Sequence, residues 1–194
     1  MEDARGLLVL VHVASALFMA APLYMLIIVN ERARLGAPLG LPHDAYLENI
    51  IRRQPVRCYA YLAGLGLSGI ALAVWPAGVE GLLVPSVLVK LVATATLFAI
   101  LTYVHLGLQP KIDAQLATLA PGAPPSEEAK RIVPVLRLRR KRLAATCLFL
   151  VLVAATFGVR LLAGLSPLAT AVVLVAALAL AWRAYRTGVR YGYV

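Results

Sequence analysis

The chain has 194 residues, 61% of them hydrophobic and 14% charged, with a net charge of +10 and a mean hydropathy of +0.84. Those values exclude an ordinary soluble globular domain and fit an all-α, polytopic membrane helical bundle, a single membrane domain over residues 1–194. The excess Lys and Arg lie against the ends of apolar runs with no binding fold beside them, so nucleic acid is excluded as a partner and the lipid bilayer is the expected one.

A bilayer core of ~30 Å takes about 20 apolar residues per helix. In chain order the runs that qualify or nearly do are residues 6–28, 58–75, 81–108, 143–162 and 166–182, about five transmembrane helices. The first follows Glu2 and Asp3, is longer than a signal-peptide core and lacks a small-residue cleavage pattern, so it is expected to be retained. In it His12, Ser15 and Met19 recur at helical spacing and share a face.

The segment 29–57 carries five Arg. Within it Tyr46, Leu47, Ile50 and Ile51 form an apolar stripe, and Glu48 sits four residues before Arg52. This spacing predicts an interfacial amphipathic helix over 42–53 that ends before Pro55. In the second run Gly64-Leu65-Gly66-Leu67-Ser68-Gly69 has the letters of a dinucleotide fingerprint, but no strand precedes it and no βαβ unit surrounds it. Gly64 and Ser68 read instead as a small-residue face that lets another helix come close.

A turn over 76–80 leads to the third run, which holds Lys90 and, one helical turn later, Thr94. A charged side chain in the hydrocarbon core costs roughly 2.5 to 3.5 kcal/mol, so an intramembrane Lys or His is a functional candidate by default. Lys90 and His12 each lie about 9 to 14 Å past the outer ends of their runs at 1.5 Å per residue. They are therefore expected to meet in the outer half of the membrane. A neutral imidazole can ligate haem iron or copper, and the lysine can ligate or hold a carboxylate. The structural alternative is a buried hydrogen-bonded pair, or a lysine that snorkels to the interface.

His105 lies fifteen residues beyond Lys90, roughly 22 Å further inward, too far to share a metal with His12. At its level are Tyr24, Met25, Cys58, Tyr59, Tyr61 and Cys147. A second haem, a soft-metal site or a quinone headgroup pocket can be assembled from such groups. An interfacial histidine among belt tyrosines is the commoner arrangement. A disulfide between the two cysteines is not expected, because both fall near cytoplasmic helix ends.

The segment 109–142 holds eight Lys or Arg. It is expected to turn over 121–125, to start a helix behind Ser126 with Glu127 and Glu128 in its first turn, and to break near Pro134. Its run Arg137-Leu138-Arg139-Arg140-Lys141-Arg142 reads as a stop-transfer and headgroup anchor. Ser166-Pro167 supplies an N-cap and a first-position proline to the fifth run, and Trp182, Tyr185, Tyr191 and Tyr193 read as interface anchors. The tail after Trp182 carries three Arg, whereas the turns at 76–80 and 163–165 carry no Lys or Arg. Five spans with the N-terminus outside and the C-terminus cytoplasmic satisfy every segment.

No Walker loop, zinc-protease motif or serine elbow is present. All nine acidic residues lie outside the apolar runs or at their margins, which weighs against a proton-driven transporter. Val11-His12-Val13-Ala14-Ser15, the Leu-Ser-Gly-Ile stretch at 67–70 and Val87-Leu88-Val89-Lys90-Leu91 resemble the CopD-like copper-resistance proteins and the integral-membrane protoporphyrinogen oxidases. The resemblance covers roughly residues 6–115. It implies a multi-pass protein of the cytoplasmic (inner) membrane that binds haem b, or copper, as cofactor. His12 would be the metal ligand and Lys90 the catalytic and cofactor-binding residue, with Ser15 and Thr94 beside them. The implied role is electron transfer or porphyrinogen oxidation, with quinone or a redox partner subunit taking the electrons. The alternative from a different class is a non-enzymatic membrane subunit or small-solute carrier whose polar seam is structural.

Overall fold

The computed structural model describes residues 2–30, 46, 49–117 and 127–187, and the described residues are helical nearly throughout, without strands. The segments 31–45, 47–48, 118–126 and 188–194 lie outside them, with the predicted turn at 121–125, the Ser126 cap, Tyr191, Tyr193 and half of the predicted 42–53 helix. The helices are α1 (Glu2–Asn30), α2 (Gln54–Ala77), α3 (Pro85–Tyr103), α4 (Gln109–Ala117), α5 (Glu127–Ala163) and α6 (Pro167–Arg186). Five of the helical stretches are long and apolar enough to cross a membrane.

The local signals behave as their chemistry requires. Ser166 caps α6 by accepting a hydrogen bond from Ala169 N at 3.2 Å, with Pro167 in the first turn. Residues 49–52 are helical and a single turn residue, Arg53, separates them from α2, which takes Pro55 in its first turn. The break expected at Pro134 does not occur: α5 runs unbroken over 37 residues through that proline. Proline removes one intrahelical hydrogen bond and bends a helix, and here the packed faces on either side of it hold the helix together. Nor does the third span begin at Gly81. Residues Gly78–Leu83 form a 3₁₀ return, Val84 is extended before the proline, and α3 starts at Pro85.

Extensive contacts run from α1 to α2, α2 to α3, α3 to α5 and α5 back to α1, while α6 packs on α5 from outside. The four inner helices therefore form a ring with α1 opposite α3 and α2 opposite α5. Its core is built in layers. Met19, Leu62, Leu97 and Val151, one from each helix of the ring, belong to one buried cluster with Leu23, Cys58 and Cys147. A second cluster, Ile27, Ala144, Ala145, Leu148 and Ala184, ties α1, α5 and α6 together nearer the other end.

The basic run departs from a headgroup anchor. Arg137 and Lys141 are 0% exposed and Arg140 is 1% exposed, whereas Arg139 and Arg142 lie on the outside of the same helix. Arg139 stands over the Tyr103 ring and Arg142 over the Tyr185 ring, at 5.3 and 5.1 Å. Arg140 Nη1 donates to Gln109 Oε1 at 2.8 Å, and Gln109 Nε2 donates to Asp113 Oδ1 at 3.1 Å. Asp113 Oδ2 in turn pairs with Arg52 Nε at 3.2 Å. Lys141 Nζ donates to the Thr187 carbonyl at 2.6 Å and to its hydroxyl, fixing the end of α6 on α5. Half of the basic run is thus an interior polar network.

Candidate functional site: a polar layer two turns from the core

Seven residues along each inner helix separate the apolar core layer from a polar one: Met19 to His12 on α1, Leu62 to Gly69 on α2, Leu97 to Lys90 on α3 and Val151 to Gly158 on α5. Seven residues are two turns, about 10.5 Å. The equal steps put His12 and Lys90 at one depth, on opposite helices of the ring.

His12 is half-buried against α2. Its Nδ1 lies 3.1 Å from the Leu65 carbonyl oxygen and 3.1 Å from Ser68 Oγ. A carbonyl can only accept, so Nδ1 carries the proton. Ser68 spends its own hydrogen on the Gly64 carbonyl, which leaves its oxygen free to accept from His12 as well. In the neutral ring the lone pair is then on Nε2. Helix α1 comes this close because α2 presents small residues: a Cβ on Gly64 would lie 2.6 Å from Ser15 Oγ, and one on Gly69 would lie 3.0 Å from His12 Cε1. The fingerprint-like glycines are therefore a packing face, as the small-residue reading expects.

Lys90 is half-buried, and its Nζ lies 3.9 Å from where a Cβ on Gly158 of α5 would sit. Thr94 Oγ1 donates to the Lys90 carbonyl at 2.9 Å, so it back-bonds to its own helix, while its methyl approaches Gly66. Ser15 is buried at 9% exposure. The structure thus puts His12 and Lys90 at one depth in the ring, with Ser15 and Thr94 about one turn further along their helices, and gives Ser68 a direct contact with His12. Ser68 was legible only as a small residue, because nothing in a single chain says which helix faces it.

His105 stands apart, in a π-helical turn, Val104–Leu108, that interrupts the register between α3 and α4. Its ring is tilted on Tyr59 at 5.7 Å, and its Nδ1 is buried with no hydrogen-bond partner among the described residues. Tyr59 donates to Thr102 Oγ1 at 3.2 Å. Of the other groups at that level, Tyr24 and Met25 are 53% and 41% exposed on the outside of α1, so they do not join His105. Among the described residues no three or more His, Cys, Asp or Glu side chains are grouped to hold a metal ion. A site at His12 would therefore rest on one protein imidazole with at most Lys90 beside it. No family model, curated protein or solved structure matches this chain.

The tight contact at Gly69 yields a prediction. Alanine normally gains up to about 1 kcal/mol over glycine inside a helix, and Gly6, with nothing within 4 Å of its Cβ position, should show that gain. At position 69 the new methyl must push the imidazole off two polar contacts. Gly69→Ala should therefore be less stable than Gly6→Ala by ~1 to 3 kcal/mol, read from thermal unfolding in detergent. Equal midpoints for the two variants would mean that His12 does not sit on Gly69.

Proposed function

We propose that the chain is a five-span protein of the cytoplasmic membrane, N-terminus outside and C-terminus inside, that holds one b-type haem through His12 Nε2 in the manner of the CopD-like proteins it resembles. The observation that supports this reading most is the His12 Nδ1–H bond to the Leu65 carbonyl. Metal-ligating histidines almost always donate their second ring N–H to a carbonyl or carboxylate, which fixes the tautomer and the ring plane. The donor chemistry therefore suits an axial ligand. Lys90 at the same depth suits a propionate partner or a second ligand, and Ser15 and Ser68 steady α1 against α2. Bound haem would supply one-electron chemistry, in electron transfer to a quinone or partner subunit or in porphyrinogen oxidation. The orientation is supported by the placement of Lys and Arg in residues 29–57, 109–142 and 183–194.

A second reading, the non-enzymatic subunit with a structural seam, draws on two other observations. The imidazole and the ammonium each sit against a glycine of the neighbouring helix, and neither residue lines either of the two cavities described in the bundle. A dithionite-reduced minus oxidised visible spectrum of the detergent-purified chain, from haem-supplied cells, separates the readings. An α-band that vanishes in His12→Ala and is perturbed in Lys90→Met is the expected result. A colourless wild-type protein with intact helicity would retire His12 as a ligand and leave the structural seam.

A further inference from the structure

Three sulfur-bearing side chains of the core line one cavity. Cys58 of α2 and Cys147 of α5 come from opposite helices of the ring, and Met19 comes from α1 between them. All three are less than 5% exposed, belong to one buried cluster and line one cavity of about 60 Å³. Both thiols are free. Among the described residues, the other polar side chains on that cavity's wall are Gln54, Gln109 and Arg140. It therefore offers two thiols and a thioether, with no carboxylate or imidazole among the described residues to favour a harder ion.

We propose that Cys58, Cys147 and Met19 form a binding site for one Cu(I) ion in the core of the bundle. Thiolate and thioether donors from three separate helices are the soft set that selects Cu(I) over harder divalent ions. A cavity of that size takes a bare ion stripped of its water. Binding is a ligand exchange without change of oxidation state: two S–H bonds are lost, two Cu–S bonds form, two protons leave, and the Met19 sulfur adds as a neutral third donor. The resulting bis-thiolate centre carries one negative charge. The buried Arg140 guanidinium on the same wall offsets it, and this is a reason for a cation to be held so far inside. The site is independent of the haem reading, about two turns from His12 along α1 and built on different residues.

The full-length chain in detergent, reduced and anaerobic, is titrated against the Cu(I)–bicinchoninate complex. One Cu(I) per chain should be withdrawn with release of about two protons, and X-ray absorption should show only sulfur in the first shell. Cys58→Ser and Cys147→Ser should each lose at least ~100-fold in affinity, beyond what a change outside the ligand shell causes. The near-isosteric Met19→Leu should lose less, about tenfold, as one neutral donor of three is removed. His12→Ala should bind Cu(I) like wild type, so failure of the haem reading and failure of this one remain distinct. Wild-type protein that withdraws no Cu(I), nitrogen or oxygen in the first shell, or a double Cys58→Ser/Cys147→Ser variant of unchanged affinity would each overturn the site. Should the serine variants not fold, the wild-type stoichiometry and sulfur shell decide the question alone.

Discussion

Arg140→Ala should destabilise the protein severely, by ~3 to 5 kcal/mol, while Arg139→Ala one position away should cost less than about 1 kcal/mol. Arg140 is 1% exposed and donates to Gln109, itself 5% exposed, which passes the chain of hydrogen bonds to Asp113 and so to Arg52. Truncation removes a charged hydrogen bond worth ~1.5 to 3 kcal/mol, takes that donor from Gln109, and leaves a void where the long aliphatic stem was packed. Arg139 only lies over the exposed face of Tyr103, a contact worth ~0.5 to 1 kcal/mol at such a site. Thermal or SDS unfolding of the two variants in the same detergent makes the comparison. A headgroup anchor would lose about the same from either arginine, so equal midpoints would contradict the interior network.

That network shows where reading the chain alone falls short. The apolar runs announced all five long helices, and Ser166 with Pro167 fixed the start of α6, because burial in lipid and capping are local demands written in adjacent residues. Charge density without phase does not tell which cations of the basic run turn inward: Arg137, Arg140 and Lys141 do, Arg139 and Arg142 do not. Val133, Arg137, Arg140, Ala144 and Leu148 follow one another at three- and four-residue steps, with Lys141 beside Arg140, and every one of them is buried. The core stripe of α5 thus continues straight into the basic run, and extending the stripe backwards would have shown which cations turn inward. The polar layer was half legible. Counting residues from the ends of the runs brought His12 and Lys90 to one depth, and helical spacing put Ser15 and Thr94 beside them. That α1 and α3 stand opposite each other, with His12 held by Ser68 and Lys90 beside Gly158, depends on the order of helices around the ring. No periodicity within one helix encodes that order. The same holds for the sulfur cluster: Met25 lay at the level of the cysteines, yet the Met19 face is the one turned inward.

Gly81→Ala should be the most damaging of the glycine substitutions, and for a reason different from its neighbour in the same turn. Gly78 ends α2 with φ +63°, its N–H donating to the Val74 carbonyl, and has open space where a Cβ would stand. With ψ at -156° this is a backbone region that essentially only glycine adopts, and alanine there meets only that backbone penalty, roughly 1 to 3 kcal/mol. Gly81 has no such backbone constraint, but a Cβ on it would overlap the Ala73 carbonyl oxygen, a backbone atom inside α2 that cannot swing away. The 3₁₀ return must lift off the end of α2, at a cost of ~3 kcal/mol or more. That return sets the height at which α3 starts, at Pro85, and so the depth of Lys90 five residues later. Gly81→Ala should therefore lower the unfolding midpoint more than Gly78→Ala and also disturb any property that needs Lys90 level with His12. Gly78→Ala should leave that alignment intact. If Gly81→Ala unfolds at or above the midpoint of Gly78→Ala, the return is not packed on Ala73, and the seven-residue correspondence between the layers of α2 and α3 loses its anchor.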